Sequence, residues 1–284
     1  MAKAGASGAG TPLTHIIGGA VAVLVLLALS VTAARAVPDV AAIMTGMKAA
    51  LEPARSSVRL LTLEIGTPGG RVMVGTAAQA RKIIDGHPQM LMVLLEPDAL
   101  RGTAWLLQEG AKDRPDEQWV YLPSLRRVRR VAPLTTYSAV LGSDFSFTDL
   151  AFEKLHSNYR LLGILDQRGA RTYQVEARFP KSEENRQYSR ILTWVDAKTF
   201  LPVKRDFYDL TGNRYRAETF ERTDTIDGVP TITRIRMENV LTGDRSDINI
   251  RSVRYGVDIP DTLFDPKKLH EASTAPLFQV GDAQ

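Results

Sequence analysis

The side chains in this chain that could do chemistry are few and scattered. Its four histidines are His15, His87, His156 and His270, with no H-x-x-x-H pair and no neighbouring ligand set, so no metal site is predicted. There is no cysteine, which excludes thiol chemistry, disulfides and a lipid attached through Cys. No G-x-S-x-G elbow and no P-loop is present. Gly66-Thr-Pro-Gly-Gly70 is glycine-rich, but no helix follows at phosphate-cradling distance, so it reads as a hairpin turn. Asp144 and Asp149 stand five apart, and on an extended segment they would face opposite ways. They read as a turn cap and the cap of a short helix rather than a shared acid–base site. No catalytic residue and no cofactor is nominated, and the chain is read as a non-enzyme.

Two other groups of residues ask for a function. Met90-Leu-Met-Val-Leu-Leu95 has no polar alternation, so both faces of that strand must be covered, one of them by a helix such as 39–51. Nearby segments add Trp105, Leu107, Trp119, Tyr121, Phe145 and Phe147. Together, Met90, Met92, Leu94, Trp105, Leu107, Trp119, Tyr121, Phe145 and Phe147 are the expected lining of an apolar groove. Methionine suits such a lining because it repacks easily. Each buried acyl CH₂ adds about 0.8 kcal/mol, so a groove could hold a lipid without a charged partner. The alternative is an ordinary core capped by helices. The second group is Arg126, Arg127, Arg129 and Arg130 in Leu125–Val131. They read either as a solvated edge that blocks strand pairing or as a contact for an anionic headgroup or an acidic partner.

The elements that would position these groups are mostly strands. Asp39 can cap a helix to Leu51, with Val40, Ile43, Met44, Met47 and Leu51 as its apolar stripe. Strands are expected at 58–65, 72–76, 90–95, 103–108, 118–122 and 127–131, with a helical reading for 77–85. Strict alternation then marks 172–179, and similar segments follow at 190–196, 201–208, 214–220, 231–240 and 247–255. Asp196-Ala-Lys, Thr211-Gly-Asn, Asp227-Gly228 and Thr242-Gly-Asp separate several of them, which implies an antiparallel meander. The tail after Pro260 is expected to hold one turn near 263–269 and then fray. A sheet this long curls, and its inner face is either filled or left as a cavity.

The first thirty-six residues read as a cleaved export signal. Lys3 precedes an apolar run from Ile16 to Leu29, and Ala34-Arg-Ala36 fits the A-x-A rule, placing the cut after Ala36. The run is shorter than the roughly 20 residues of a spanning helix. Lys3 and Arg35 leave with it, which lowers the net charge from +4 to +2 and argues against nucleic-acid binding. The expected product is a single domain, residues 37–284, located in the periplasm.

Gln118-Trp-Val-Tyr-Leu-Pro-Ser-Leu-Arg-Arg-Val-Arg-Arg-Val131, followed by Gly142-Ser-Asp-Phe-Ser-Phe-Thr-Asp-Leu150, resembles the LolA-like outer membrane lipoprotein-sorting family. Trp194-Val-Asp196, Leu201-Pro-Val-Lys204 and Tyr208–Asn213 resemble it too. The resemblance implies a mainly β fold, a half-open antiparallel β-barrel closed by helices. It also implies carriage of acyl chains across the periplasm and, in this branch, association with inner-membrane exporters of the resistance-nodulation-division type.

The leading expectation is therefore a periplasmic carrier that shields an acylated lipoprotein or a lipid, with only transient membrane contact. The alternative is an accessory protein docking on an inner-membrane exporter or envelope complex. A hydrolase of envelope lipids would need a polar trio in the groove, and nothing in the chain nominates one.

Overall fold

The computed structural model describes Gly8 and residues 37–278, except 67–69, 71, 111–113, 115, 133–136, 152–157, 168, 180–186 and 273; for 72–74 it describes the backbone alone. The expected export signal at 1–36 lies outside the described residues apart from Gly8.

The described chain from Pro38 on is dominated by one 13-stranded antiparallel sheet. The first six strands are β1 (Ser57–Gly66), β2 (Val72–Ile84), β3 (His87–Glu96), β4 (Ala104–Gln108), β5 (Glu117–Leu122) and β6 (Arg127–Arg130). The next seven are β7 (Tyr159–Gln167), β8 (Ala170–Arg178), β9 (Arg190–Asp196), β10 (Pro202–Tyr208), β11 (Arg214–Ile226), β12 (Val229–Asn239) and β13 (Arg245–Tyr255). Each half is a meander, and the two meet where β1 pairs with β13. β6 and β7 are the outer edges and do not pair, so the sheet is open.

Helix α1 (Val40–Leu51) starts as expected: the Asp39 carboxylate accepts from the Ala42 N–H at 2.7 Å. It does not cover β3, as the sequence had implied. Its buried face, Ile43, Met44 and Met47, packs on Tyr173, Val175 and Val195 of β8 and β9. Lys48 then reaches Glu109, just past β4, at 2.8 Å, and Arg81 on β2 donates to the Leu51 carbonyl at 3.2 Å. The helix thus touches both halves of the sheet. Gly46 is required for its seat, because a Cβ there would lie 2.7 Å from the Phe200 ring.

The expected helix at 77–85 is instead the second half of a 13-residue strand, β2. Pairing with β1 and β3 along its whole length overrides the helix propensity of its alanines. Asp85 and Gly86, both at positive φ, turn the chain into β3. Strand β7 has no counterpart in the sequence expectation, since a register shift between Leu161 and Gly163 breaks its alternation.

The two faces of the first meander are covered differently. Val58, Ala78, Ala80, Leu91, Val93, Ala104 and Leu106 form the outer face. The tail does not fray there. Ile259, Phe264, the two residues Leu269 and Ala272 that bound short helix α2 (Leu269–Ala272), and Phe278 lie against that face and are buried. Lys82 and Gln108 hold the tail by donating to the Ile259 and Phe264 carbonyls at 2.6 and 2.8 Å. The inner face carries Leu61, Leu63, Ala77, Met90, Met92, Trp105 and Leu107.

Candidate functional site

The chain leaves β6 at one edge of the sheet and re-enters at β7 on the other. It must therefore cross a face between them. The described part of this crossing, 137–151, lies over the inner face. Asp144 accepts from Ser246 Oγ on β13 at 2.9 Å, and its N–H donates to the same oxygen at 2.9 Å. Arg216 on β11 donates to the Asp144 carbonyl and, at 2.6 Å, to the Asp149 carboxylate. Tyr188 bridges the same pair, accepting from Arg216 at 2.7 Å and donating to Asp149 at 3.2 Å. Burial opposes the charge on Arg216, but Asp149 and then Tyr188 more than offset it, and the guanidinium pKa is raised. Burial, then the Asp149 charge, pushes the Tyr188 hydroxyl well above its ordinary value. Asp149 also accepts from the Ser146 backbone at 2.7 Å. It is thus the acid of a buried ion pair as well as a turn residue, and among the described residues no helix begins at it. Asp144 and Asp149 are both tied to Arg216, Asp144 through its carbonyl and Asp149 through its carboxylate.

Beneath this crossing is a cavity with about 1270 Å³ of space free of protein atoms, part of it open to solvent. Its walls come from β1–β3 (Leu61, Leu63, Ala77, Met92, Leu94) and β11–β13 (Phe220, Ile232, Ile235, Ile248, Ile250). Residues Val140, Leu141, Phe145 and Leu150 of the crossing form the roof, and Ala50 and Leu51 of α1 close one side. Strands as far apart in the order as β3 and β10 face this one space, which requires a strongly curled sheet. Small side chains keep the floor low: Gly75 and Ala77 stand at positions where larger residues would project inward.

The nine residues expected in the groove divide into three groups. Met92, Leu94 and Phe145 line the cavity. Met90, Trp105, Leu107 and Phe147 share the inner face but pack in the cluster beside it, where Trp105 and Phe147 meet edge to face at 5.1 Å. Trp119 and Tyr121 lie on the outer face against the C-terminal tail. The reason is register: Leu106 pairs with Trp119 and Ala104 with Tyr121, so both aromatics share the parity of the outer residues.

Arg127, Arg129 and Arg130 are exposed on edge strand β6, and Arg126 is exposed in the turn before it at φ 49°. Arg130 pairs with Glu117 at 2.6 Å.

Sequence reasoning missed the polar end of the cavity. Arg59 on β1 and Arg81 on β2 line it, with Gln79, Tyr255 and Thr231. Burial lowers the Arg59 pKa, which Tyr255 partly restores. Arg81 falls to about 9, through burial and then repulsion from Arg59, with Glu52 offsetting part. Parity could have found them, since Arg59 alternates in phase with Leu61 and Leu63. Among the described residues no cluster of His, Asp or Glu could hold a metal. Nor is any described helix long and apolar enough to cross a membrane.

Residues 86–271 match a protein family described as "Uncharacterized protein". No curated protein matches the chain. Among solved structures, a DUF1329 family protein from Desulfovibrio piger is 27% identical, covering 81% of this chain and 97% of that one, with a TM-score of 0.73. A putative outer membrane lipoprotein-sorting protein domain from Vibrio parahaemolyticus is 23% identical, with coverages of 81% and 97% and a TM-score of 0.74. A LolA superfamily protein from Nitrosomonas europaea is 22% identical, with coverages of 79% and 96% and a TM-score of 0.62. The fold of this chain is thus LolA-like, in line with the resemblance read from 118–131 and 142–150.

Proposed function

The chain belongs to the family of proteins described as uncharacterized that it matches over residues 86–271, and on that premise we propose that it is a non-enzymatic periplasmic carrier. Its cavity would shield the acyl chains of a lipoprotein or lipid during passage through the cell envelope. The observation that carries this reading is the unfilled apolar space between the inner face of the sheet and the 137–151 crossing. Hydrocarbon buried against this lining contributes about 0.8 kcal/mol per CH₂. The solved lipoprotein-sorting domain and LolA superfamily protein share the fold and support the reading by analogy.

In this reading the curled sheet acts as a half-open barrel. Helix α1, fastened by Lys48 to Glu109 at 2.8 Å, would be the closing element. Residues 1–36 would direct export and then be removed. Native mass spectrometry of the protein purified from its own envelope, with lipid extraction, tests the proposal. Bound acyl species at one per chain are expected; repeated isolation without lipid, with no uptake of an added acyl probe, would refute it.

A second role has one specific observation behind it. Four exposed arginines at and before edge strand β6 present a positive strip that an acidic face of an inner-membrane exporter or an anionic headgroup would fit. Recovery of a membrane partner that is lost when Arg126, Arg127, Arg129 and Arg130 become Glu would support it. Unchanged recovery would dismiss the strip as a contact.

A further inference from the structure

The cavity wall changes character in register along β1 and β2. Ser57 pairs with Arg81, Arg59 with Gln79, Leu61 with Ala77 and Leu63 with Gly75. From Arg59 to Leu63 is four residues, about 13 Å of strand. Over that distance the β1–β2 wall passes from guanidinium groups with the Gln79 amide beside them to hydrocarbon. Strand β13 repeats the gradient: Ile250 and Ile248 pair with Leu61 and Leu63, and Tyr255 sits opposite Ser57 at the charged end.

The charged end is built at an electrostatic cost. Two like charges in a low-dielectric wall repel and disfavour each other's ionised form. Arg59 Nε makes no hydrogen bond, and Arg59 and Arg81 also border a small adjoining recess that carries Arg55 and Lys82. Glu52 offsets part of the charge on Arg81 while also meeting Lys48 at 2.7 Å, and Glu218 meets Arg205 at 3.6 Å, yet the repulsion between Arg59 and Arg81 persists. An anion between Arg59 and Arg81 would relieve their repulsion and accept charge-assisted hydrogen bonds from planar donors suited to carboxylate and phosphate.

We propose that Arg59 and Arg81 bind the anionic head, a carboxylate or phosphate monoester, of an amphiphile whose chain lies along Leu61, Leu63, Ile248 and Ile250. This rests on the carrier reading and narrows its cargo to an acidic acyl lipid. The head is held at the α1 end of the cavity, and the tail points toward the roof at 140–150.

The test uses three competitors of one chain length, hexadecanoic acid, hexadecyl phosphate and hexadecanol, displacing a neutral pyrene-labelled acyl probe from the purified protein. The acid, the phosphate or both compete at least about tenfold better than the alcohol; which one does identifies the head. In Arg59→Met and Arg81→Met the ratio of acid or phosphate affinity to alcohol affinity shrinks; an unchanged ratio in both folded variants would overturn the head site. If all three heads compete equally while the probe is taken up, the head site is refuted and the carrier reading stands. If the probe is not taken up, the carrier reading fails and this proposal with it. Displacement by inorganic phosphate as effective as by hexadecyl phosphate would also overturn it, as a free-anion site. The comparison of heads on the unaltered protein decides even if a variant does not fold.

Discussion

Arg216 on β11 and Asp149 in the 137–151 crossing form an ion pair of 2.6 Å in which both side chains are almost wholly buried. Sixty-seven residues separate them along the chain. The contact fastens the crossing to strand β11.

Removing one partner leaves the other charged and buried. Arg216→Met is expected to lower the unfolding free energy by about 3–5 kcal/mol, read by urea denaturation. Arg216→Met with Asp149→Leu together should recover a good part of that loss, because no unpaired charge then remains. A double variant as unstable as the single one would mean that the pair does more than balance charge.

Asp144, which joins the same roof to Ser246, titrates against the fold. Burial raises its pKa above the ordinary 3.8, and the Ser246 hydrogen bond and Arg216 offset only part. The folded protein therefore holds this proton more tightly than the unfolded chain. The stability linked to it is fully present below pH 3.8 and is lost as pH rises through the raised folded value. Asp144→Asn keeps an acceptor for Ser246 and removes that loss. It should melt above the parent at pH 7, with the gap closing under strong acid.

Gly46 lets α1 sit against Phe200. Gly46→Ala gains about 1 kcal/mol of helix propensity, yet its Cβ would lie 2.7 Å from the ring. A net loss of about 1–2 kcal/mol is expected from the forced displacement. Placing the same change in a Phe200→Leu background should shrink the loss, which a double-mutant cycle measures.

Much of this was legible in the sequence, for physical reasons. In β8 the apolar Tyr173, Val175 and Ala177 alternate with the polar Thr172, Gln174 and Glu176, so the strand shows. Hairpin residues such as Asp227-Gly228 reported the turns, and both adopt the positive φ such turns need. The first part of β2 was read as a strand at 72–76, but its second half was hidden because Ala77, Ala78 and Ala80 stand there. The small residues that make room for the cavity are also poor strand signals. The lining was only partly legible, since Trp119 and Tyr121 are large and apolar yet on the wrong parity. Arg59 and Arg81 escaped notice because an arginine in a strand reads as surface until its neighbours in phase are counted.

The central claim is that the space under the 137–151 crossing takes an acyl chain. The direct measurement is the equilibrium uptake of a neutral fluorescent acyl probe by the parent protein and by Ile248→Trp, which fills the wall from β13 without touching Arg59 or Arg81. One saturable site in the parent, weakened about tenfold or more in an Ile248→Trp protein of equal melting temperature, is the expected result. No uptake by the parent, or equal uptake by both, would contradict it.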